Sequence, residues 1–357
     1  MVRDNRIDVV RCFANYIIIL LHAGAAFQYC VRGTLEYIFW TYLCWDLCSA
    51  ALPAMFLISG FLLFQKYGLA SFKDKLKRRV KRLAVPYFAW NMTFVVFYLM
   101  MARFVPRLSA RVATFEIDTV QGIVDKTCSL VTAPIDGPLW FLRTLFIFTL
   151  CSPILWLFLR SKVGRWMGLG GVLIAYPMCY ALGLTPEMAL TYPLYALTIF
   201  YVGGLMAVTN CFHGAFEWFT TKAWILLPIL GALMCGYVVA LKESPESCLT
   251  ALISDLGKLA FTPLLFIAVN QMNVNKISSN GLYQYMKEMS FFAYAGHFLF
   301  CSMIMHTAAP FLGFMTTGKF TVLVLIFCGV GVPVMAGIYW IGKKYLPRIM
   351  KIYDGTL

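Results

Sequence analysis

Apolar stretches of about twenty residues, each long enough to cross a lipid bilayer as a helix, follow one another along nearly the whole chain. The longest polar connection, residues 106–137, is too short to form a domain of its own, and Val120, Ile123 and Val124 predict a short amphipathic helix within it. The pattern predicts an all-α, polytopic membrane bundle in one domain, residues 1–357, with no appended soluble domain. About ten transmembrane helices are expected, over residues 7–28, 41–64, 84–105, 138–159, 166–184, 193–210, 223–241, 252–270, 289–309 and 320–342.

The composition agrees with a membrane protein and restricts its partners. Hydrophobic residues make up 61% of the chain and charged residues 13%, against about 25% charged in soluble domains, and the mean hydropathy is +0.76. If the N-terminus lies inside, the cytoplasmic segments carry 21 Lys or Arg and the outer segments 7, so both termini are predicted to be cytoplasmic. Membrane topology explains most of the +14 net charge. The rest of this positive charge indicates an anionic partner, either membrane lipids or a phosphorylated co-substrate, and no nucleic acid is expected.

The twelve cysteines form no metal or redox motif. Most lie in apolar segments, where a cysteine behaves as a small hydrophobic residue, and none has CxxC spacing. No metal site is therefore expected. Cys128 and Cys248 fall in connections predicted to lie outside, and the sequence leaves open whether they pair.

Ionisable side chains inside apolar segments are the strongest functional signal, because each costs about 2.5–3.5 kcal/mol at the centre of a membrane helix. His22 comes late in the first predicted helix and Asp46 early in the second, which places both at a similar depth near the outer face. A carboxylate beside an imidazole fixes its tautomer and raises its basicity, as a general base requires. We therefore predict His22 and Asp46 as catalytic residues; the alternative is a structural pair inside the bundle.

Further polar residues on other predicted helices share that depth, namely Trp140, Arg143, Asp255, Lys258 and His297. Charges at one level on several helices favour a shared polar cavity, since lipid does not tolerate them. These residues are candidates for binding a substrate or stabilising an oxyanion. Asp255 and Lys258, at i,i+3 spacing, are also consistent with a self-neutralising ion pair.

A basic run follows the second predicted helix on the cytoplasmic side. Residues 73–82 include seven Lys or Arg in ten positions. Arg78, Arg79 and Arg82 fall within one helical turn, so their side chains can converge on one anion. A topological anchor or a patch for acidic lipids explains the run equally well.

Five short motifs in these segments resemble the membrane proteins of acyltransferase family 3, in the family's order and over nearly the whole chain. They are residues 6–11 (RIDVVR) with His22, 56–61 (FLISGF), 78–87 (RRVKRLAVPY) with Trp90, 139–143 (LWFLR) with Ser152 and Pro153, and Ser290 and Phe291 with 294–297 (YAGH). The resemblance implies transfer of an acyl group, usually acetyl from acetyl-coenzyme A, to a hydroxyl of an acceptor at the extracytoplasmic face. Family acceptors are sugars of surface polysaccharides, lipids and antibiotics.

The resemblance also assigns roles to single residues. His22 matches the family's catalytic histidine, Arg11 its helix-1 arginine, and Arg79 and Arg82 the R-x-x-R pair associated with the acyl donor. Arg11, Arg78, Arg79 and Arg82 are therefore predicted to bind the co-substrate, acetyl-CoA or another acyl-CoA, through its phosphates. The assignment of Asp46 rests on its depth alone.

The sequence thus predicts a multi-pass O-acyltransferase of the bacterial inner (plasma) membrane, acting on a surface glycan or a lipid-linked sugar. His22 either removes the proton of the acceptor hydroxyl or is itself acylated first. The acceptor's identity, the acyl chain and the oligomeric state are left open. An anion or solute transporter that uses the same intramembrane charges is the alternative, although no inverted repeat is found, and a receptor or scaffold with structural ion pairs is a third hypothesis.

Overall fold

The computed structural model describes residues 4–24, 43, 47–104, 116–128, 134–181, 191–243, 248–312 and 319–357. Regular structure in these ranges is helical throughout, without a strand. The α-helices, in chain order, are α1 (Asn5–Gly24), α2 (Ala51–Phe64), α3 (Phe72–Arg79), α4 (Val85–Met101), α5 (Val120–Cys128), α6 (Trp140–Leu150), α7 (Ser152–Leu159), α8 (Lys162–Ala181), α9 (Thr191–Val208), α10 (Phe212–Thr221), α11 (Ala223–Glu243), α12 (Cys248–Gln271), α13 (Val274–Ser279), α14 (Gly281–Leu312), α15 (Lys319–Ile326), α16 (Val332–Tyr345) and α17 (Pro347–Tyr353).

Helices overlap every one of the ten predicted segments, which confirms the all-helical class. In the described ranges two helices are long and apolar enough to cross a membrane, Leu69–Met101 and Val324–Tyr345, and this rises to four if two bent helix pairs each form one span. The count of about ten spans and the cytoplasmic termini stay predictions. The short helix predicted within 106–137 is α5; Cys128 at its end carries a free thiol, and the side chain of Cys248 lies outside the described residues.

The two bent pairs depart from the straight segments that the sequence predicts. Residues 138–159 form α6 and α7, which meet at 60° around Cys151. Pro153 in the first turn of α7 has no backbone N–H and favours a new helix start. The predicted segment 193–210 is followed at 108° by α10, a helix that the sequence reading did not separate.

Glycine permits the close packing of α2 against α9 at the centre of the bundle. A Cβ atom on Gly60 would lie 2.0 Å from the carbonyl oxygen of Phe200, and one on Gly203 would lie 2.0 Å from that of Leu57. Only a residue without a side chain allows backbones to approach this closely, as in small-residue contacts between membrane helices. This contact fixes α2, which carries Ser59, beside the functional site.

The basic helix α3 continues into α4 through a π-helical turn, Val80–Ala84. Such turns insert a wider loop of backbone into a helix and are frequent at functional sites. α3 has no buried residue, whereas Tyr87, Trp90 and Phe94 of α4 are buried. The chain therefore changes at this turn from an accessible basic helix to an apolar helix of the bundle.

An ionic cluster fixes the start of α1 against α10 and α12. Arg6 donates to Asp4 (2.9 Å), Glu217 (2.5 Å) and Asn270 (3.0 Å), and Nδ1 of His213 lies 3.1 Å from an Asp4 carboxylate oxygen. Partial burial, the largest influence on the Asp4 carboxyl, raises its pKa. The hydrogen bonds from Arg6 and His213 outweigh this and hold the pKa of Asp4 below its ordinary value.

Candidate active site

One face of α1 carries polar side chains of the site. Asp8, Arg11 and Asn15 are spaced by three and four residues, which places them on the same side of the helix, and all three line one cavity. His22 follows Arg11 by eleven residues, or three helical turns, and so lies on the same face about 16.5 Å further along the axis. Ile18, between Asn15 and His22, is buried. The face therefore leads from a charged end to a histidine through an apolar layer.

The basic helix α3 and the π-turn after it form the opposite wall of this cavity, with Arg78, Arg79 and Arg82 in the lining. Arg79 is half-buried, and its guanidinium lies within electrostatic range of those of Arg11 and Arg82. No hydrogen bond or ion pair joins Arg78, Arg79 or Arg82 to any residue that the structure describes. Lys75 differs, because its ammonium group donates to carbonyl oxygens just before and after the end of α2 (2.5 and 3.2 Å).

The cavity has a volume of about 1060 Å³, at the upper end of the range of about 300–1,000 Å³ for drug-sized ligands. Six basic and three acidic side chains line it. Polar groups from α2 and α14 complete the wall, including Ser59 and Ser290, and Phe141 and Tyr294 line its apolar part. A space of this size and charge suits an elongated anion with an apolar end.

The three acidic side chains of the cavity are held by neighbours other than Arg78, Arg79 and Arg82. Asp8 is buried and forms a 2.9 Å ion pair with Lys287. Glu288 pairs with Lys343, and Asp354 accepts hydrogen bonds from its neighbours further along the chain. None of these contacts involves Arg78, Arg79 or Arg82, so the positive charge of these three arginines remains for a ligand.

The C-terminal segment forms part of the cavity wall beside Arg82. Asp354, Gly355 and Thr356 line the cavity, and the indole N–H of Trp90 donates to the carbonyl of Tyr353 (3.1 Å). Gly355 has a φ of +69°, which favours glycine, and a Cβ atom there would lie 3.0 Å from the backbone oxygen of Arg82. The hydroxyl of Thr356 donates to Asp354 (2.6 Å) and closes the turn.

A pair of histidines lies one residue layer beyond the cavity. The rings of His22 and His297 are 5.1 Å apart, and Phe298 packs edge-on against His22 at 5.9 Å. Tyr294 connects this pair to the cavity, because it lines the cavity and its ring centroid lies 6.1 Å from that of His297. The Tyr294 hydroxyl donates to the carbonyl of Pro138 (2.5 Å), which fixes the ring between the two regions.

The remaining candidate residues lie apart from this cavity or outside the described residues. Trp140 packs on Phe56 with ring centroids 5.8 Å apart, and Arg143 on α6 and Lys258 on α12 are half-buried; none of the three lines the cavity. Asp255 belongs to α12, but its side chain is outside the described part. Asp46 lies wholly outside it, so its predicted pairing with His22 stays a prediction.

Sequence reasoning assigned no role to Asp136, which the structure buries completely. Neither carboxylate oxygen has a hydrogen-bond partner in the described part of the chain. Asp136 lies in the polar connection 106–137, and nothing in its spacing marks it as buried. The available signal was its position directly before Gly137 and Pro138, where an acid precedes a helix start.

Comparison with known proteins gives one match. The family described as "Acyltransferase domain" (Acyl_transf_3) matches residues 4–342, nearly the whole chain, and leaves the cavity-lining segment 354–356 beyond its end. Searches of curated proteins and of solved structures found no match. The match confirms the resemblance drawn from the short motifs, and its span includes α1, the basic helix and the histidine pair. This chain therefore belongs to the acyltransferase 3 family and is a membrane acyltransferase.

Proposed function

We propose that this protein transfers an acyl group, acetyl in the simplest case, from acyl-CoA on the cytoplasmic side to a hydroxyl of a glycan or lipid-linked sugar on the outer side. The membrane would be the bacterial inner (plasma) membrane. The observation that carries the proposal is the arrangement along α1. Arg11 lines the arginine-rich cavity, and His22 lies on the same helix face, beyond the apolar layer.

The donor end of the cavity suits coenzyme A. Its 3′-phosphate and diphosphate require several cationic donors, and guanidinium groups bind phosphate oxygens in pairs. Arg78, Arg79 and Arg82 have no protein partner among the described residues, so their donors are available to such a ligand. Arg11 reaches the same space from the other wall.

The acyl end of the donor would then lie toward the histidines. Asn15 lines the cavity, and His22 lies seven residues further along α1, about 10 Å along its axis. The slender pantetheine arm is of a shape that can occupy the narrow apolar end beside Tyr294. It would carry the thioester from the arginines to the level of His22.

His22 would act as the general base of the transfer. Its imidazole takes the proton from the acceptor hydroxyl, whose oxygen forms a bond to the thioester carbonyl carbon. The carbon–sulfur bond breaks, and the thiolate leaves with the coenzyme and receives a proton. In the second route the acyl group passes to His22 first and then to the acceptor hydroxyl.

The test uses His22→Ala in the purified, detergent-solubilised protein and in native membranes. Acetyl-CoA affinity, measured by titration calorimetry, should stay within about twofold of wild type because His22 does not line the cavity. Incorporation of radiolabelled acetyl groups into the glycan and lipid fractions of the membranes should disappear. Arg160→Gln, an exposed change away from the cavity, is the control and should alter neither reading. Full incorporation by His22→Ala would refute the proposal.

A further inference from the structure

The side chain of Asp136 lacks the hydrogen bonds that a buried carboxyl group normally makes. It has no exposed surface, and both oxygens of its carboxyl group are buried without a hydrogen-bond partner in the described ranges. Its own backbone is well held, because its N–H donates to the Asn91 side chain (3.2 Å) and its carbonyl accepts from Leu139 (2.9 Å). Burying an unpaired carboxyl group lowers the stability of the folded protein. A group kept at such a cost needs an explanation, and a ligand that binds there provides one.

His297 contributes a second unsatisfied group. Its Nδ1 lies 2.5 Å from the carbonyl oxygen of Tyr294, and only a protonated Nδ1 can donate to that acceptor. In the neutral ring Nε2 is then a bare acceptor, and this atom is buried without a partner in the described part of the chain. The side chain as a whole is fully buried.

These two groups belong to one region of the bundle. The turn that contains Asp136 packs against α14, where Asp136 lies within electrostatic range of the Tyr294 hydroxyl. A Cβ atom on Gly137 would touch the ring of Phe298 at 3.9 Å, and that ring also packs on His22. Asp136 therefore lies beside the rings of Tyr294 and Phe298, which flank His297 in the sequence of α14.

We propose that Asp136 and His297 form the acceptor-binding site and that each accepts a hydrogen bond from a hydroxyl group of a carbohydrate. The carboxyl oxygens of Asp136 and Nε2 of His297 can both accept hydrogen bonds, so a partner that supplies several donors satisfies them, and a sugar ring presents several adjacent O–H donors. The rings of Tyr294 and Phe298 offer apolar surface for the ring carbons. Asp136 offers an anion no cationic donor, so this region differs in ligand preference from the arginine-rich cavity.

This inference rests on the proposed acyl transfer and names the residues that hold its acceptor. It makes an unusual prediction for stability, because an unpartnered buried group costs free energy in the folded state. Asp136→Leu, of similar shape, should leave the melting temperature unchanged or raise it, whereas a structural carboxylate would lower it. Asp136→Asn serves as a second variant that keeps a polar group. Thr127→Val is the matched control, because the Thr127 hydroxyl on α5 is also buried without a hydrogen-bond partner among the described residues.

The amount of acyl group transferred distinguishes the Asp136 variants from the Thr127→Val control. Membrane vesicles from the native host are incubated with radiolabelled acetyl-CoA, and label is counted in the solvent-extracted lipid-linked sugars and in the polymeric glycan. Asp136→Leu should lower incorporation about 5- to 150-fold, because the acceptor hydroxyl is left without its partner, and Asp136→Asn, which keeps one acceptor oxygen, should lower it less. Acetyl-CoA affinity should not change. Thr127→Val should incorporate label at the wild-type rate, and the labelled fraction identifies the source of the sugar.

Three outcomes would overturn the inference while leaving the proposed function standing. Wild-type incorporation by both Asp136 variants would remove the residue from the acceptor site. A melting temperature that falls with Asp136→Leu but not with Thr127→Val would assign Asp136 to the fold. Label in a fraction without sugar would contradict the carbohydrate class while leaving the acyl transfer intact. If wild-type vesicles incorporate no label, the proposed function itself is refuted, and this inference with it.

Discussion

Arg79 offers the sharpest test of the donor cavity. It is half-buried, lines the cavity and lies close to the like charges of Arg11 and Arg82, with no partner in the described part of the chain. Replacement by Gln keeps a polar side chain and removes the positive charge. We expect Arg79→Gln to weaken acetyl-CoA binding while leaving the ligand-free protein as stable as wild type or slightly more stable, because repulsion among the arginines is relieved.

The expected magnitude follows from the contacts that would be lost. A hydrogen bond to a charged group contributes about 1.5–3 kcal/mol, which corresponds to an affinity about 10- to 150-fold lower. A ligand at 100 times its dissociation constant stabilises a protein by about 2.7 kcal/mol. At the same acetyl-CoA concentration the variant would gain only about 0.3–1.4 kcal/mol.

The assay is thermal unfolding of the detergent-solubilised protein with and without acetyl-CoA, combined with titration calorimetry. Wild type and Arg160→Gln should show the same rise in melting temperature on adding acetyl-CoA, and Arg79→Gln should show about half of it or less. Raising the salt concentration should weaken binding to wild type more than to the variant, since fewer charges remain to be screened. A variant with an unchanged affinity and a lower ligand-free melting temperature would show that Arg79 supports the fold instead.

Three further predictions concern the surroundings of the site. Deleting residues 354–357 should lower acetyl-CoA affinity about tenfold by calorimetry while helix content by circular dichroism is kept, and unchanged affinity would exclude a role for this wall. Gly60→Leu should lower the melting temperature by the equivalent of at least about 1–3 kcal/mol, because no side chain fits against α9; an unaltered melting temperature would contradict the packing. Asp4→Asn should destabilise the protein at neutral pH, where the ionised Asp4 with its lowered pKa stabilises the fold. This difference from wild type should stay constant above the ordinary pKa of an aspartate and shrink as pH falls below it toward the lowered pKa, and a difference that does not change with pH would be inconsistent with this account.

The convergence of the three arginines Arg78, Arg79 and Arg82 could be predicted from the sequence because it depends on helix periodicity. Arg78, Arg79 and Arg82 fall within one turn, and that spacing places them in one cavity lining. The cavity also receives Arg11, which the resemblance alone assigned to the donor. The sequence also places His22 and His297 at a similar depth in the membrane, and in the structure their ring centroids are 5.1 Å apart. These features need only the register of a helix and its direction through the bundle.

Features that depend on how a connection folds back could not be predicted. Asp136 belongs to a loop in the sequence, yet its turn packs into the bundle against α14. Gly355 lies more than 270 residues from Arg82, and yet a Cβ atom on Gly355 would lie 3.0 Å from the backbone oxygen of Arg82. The bend at Cys151 left the apolar pattern of 138–159 unbroken, so hydropathy alone indicated one straight helix. Periodicity describes one element at a time, and these contacts join elements far apart in the chain.

The close pairing of the histidines constrains how a proton can move in the site. Two unit charges 5.1 Å apart repel by about 3 kcal/mol at an effective dielectric constant of 20, so His22 and His297 are not charged together at ordinary pH. The hydrogen bond from Nδ1 of His297 to the Tyr294 carbonyl is satisfied by a neutral ring. If His22 takes the acceptor's proton, His297 must therefore stay neutral and act as a hydrogen-bond acceptor. A general base and a neutral acceptor side by side can hold two hydroxyl groups of one sugar while only one of them is deprotonated.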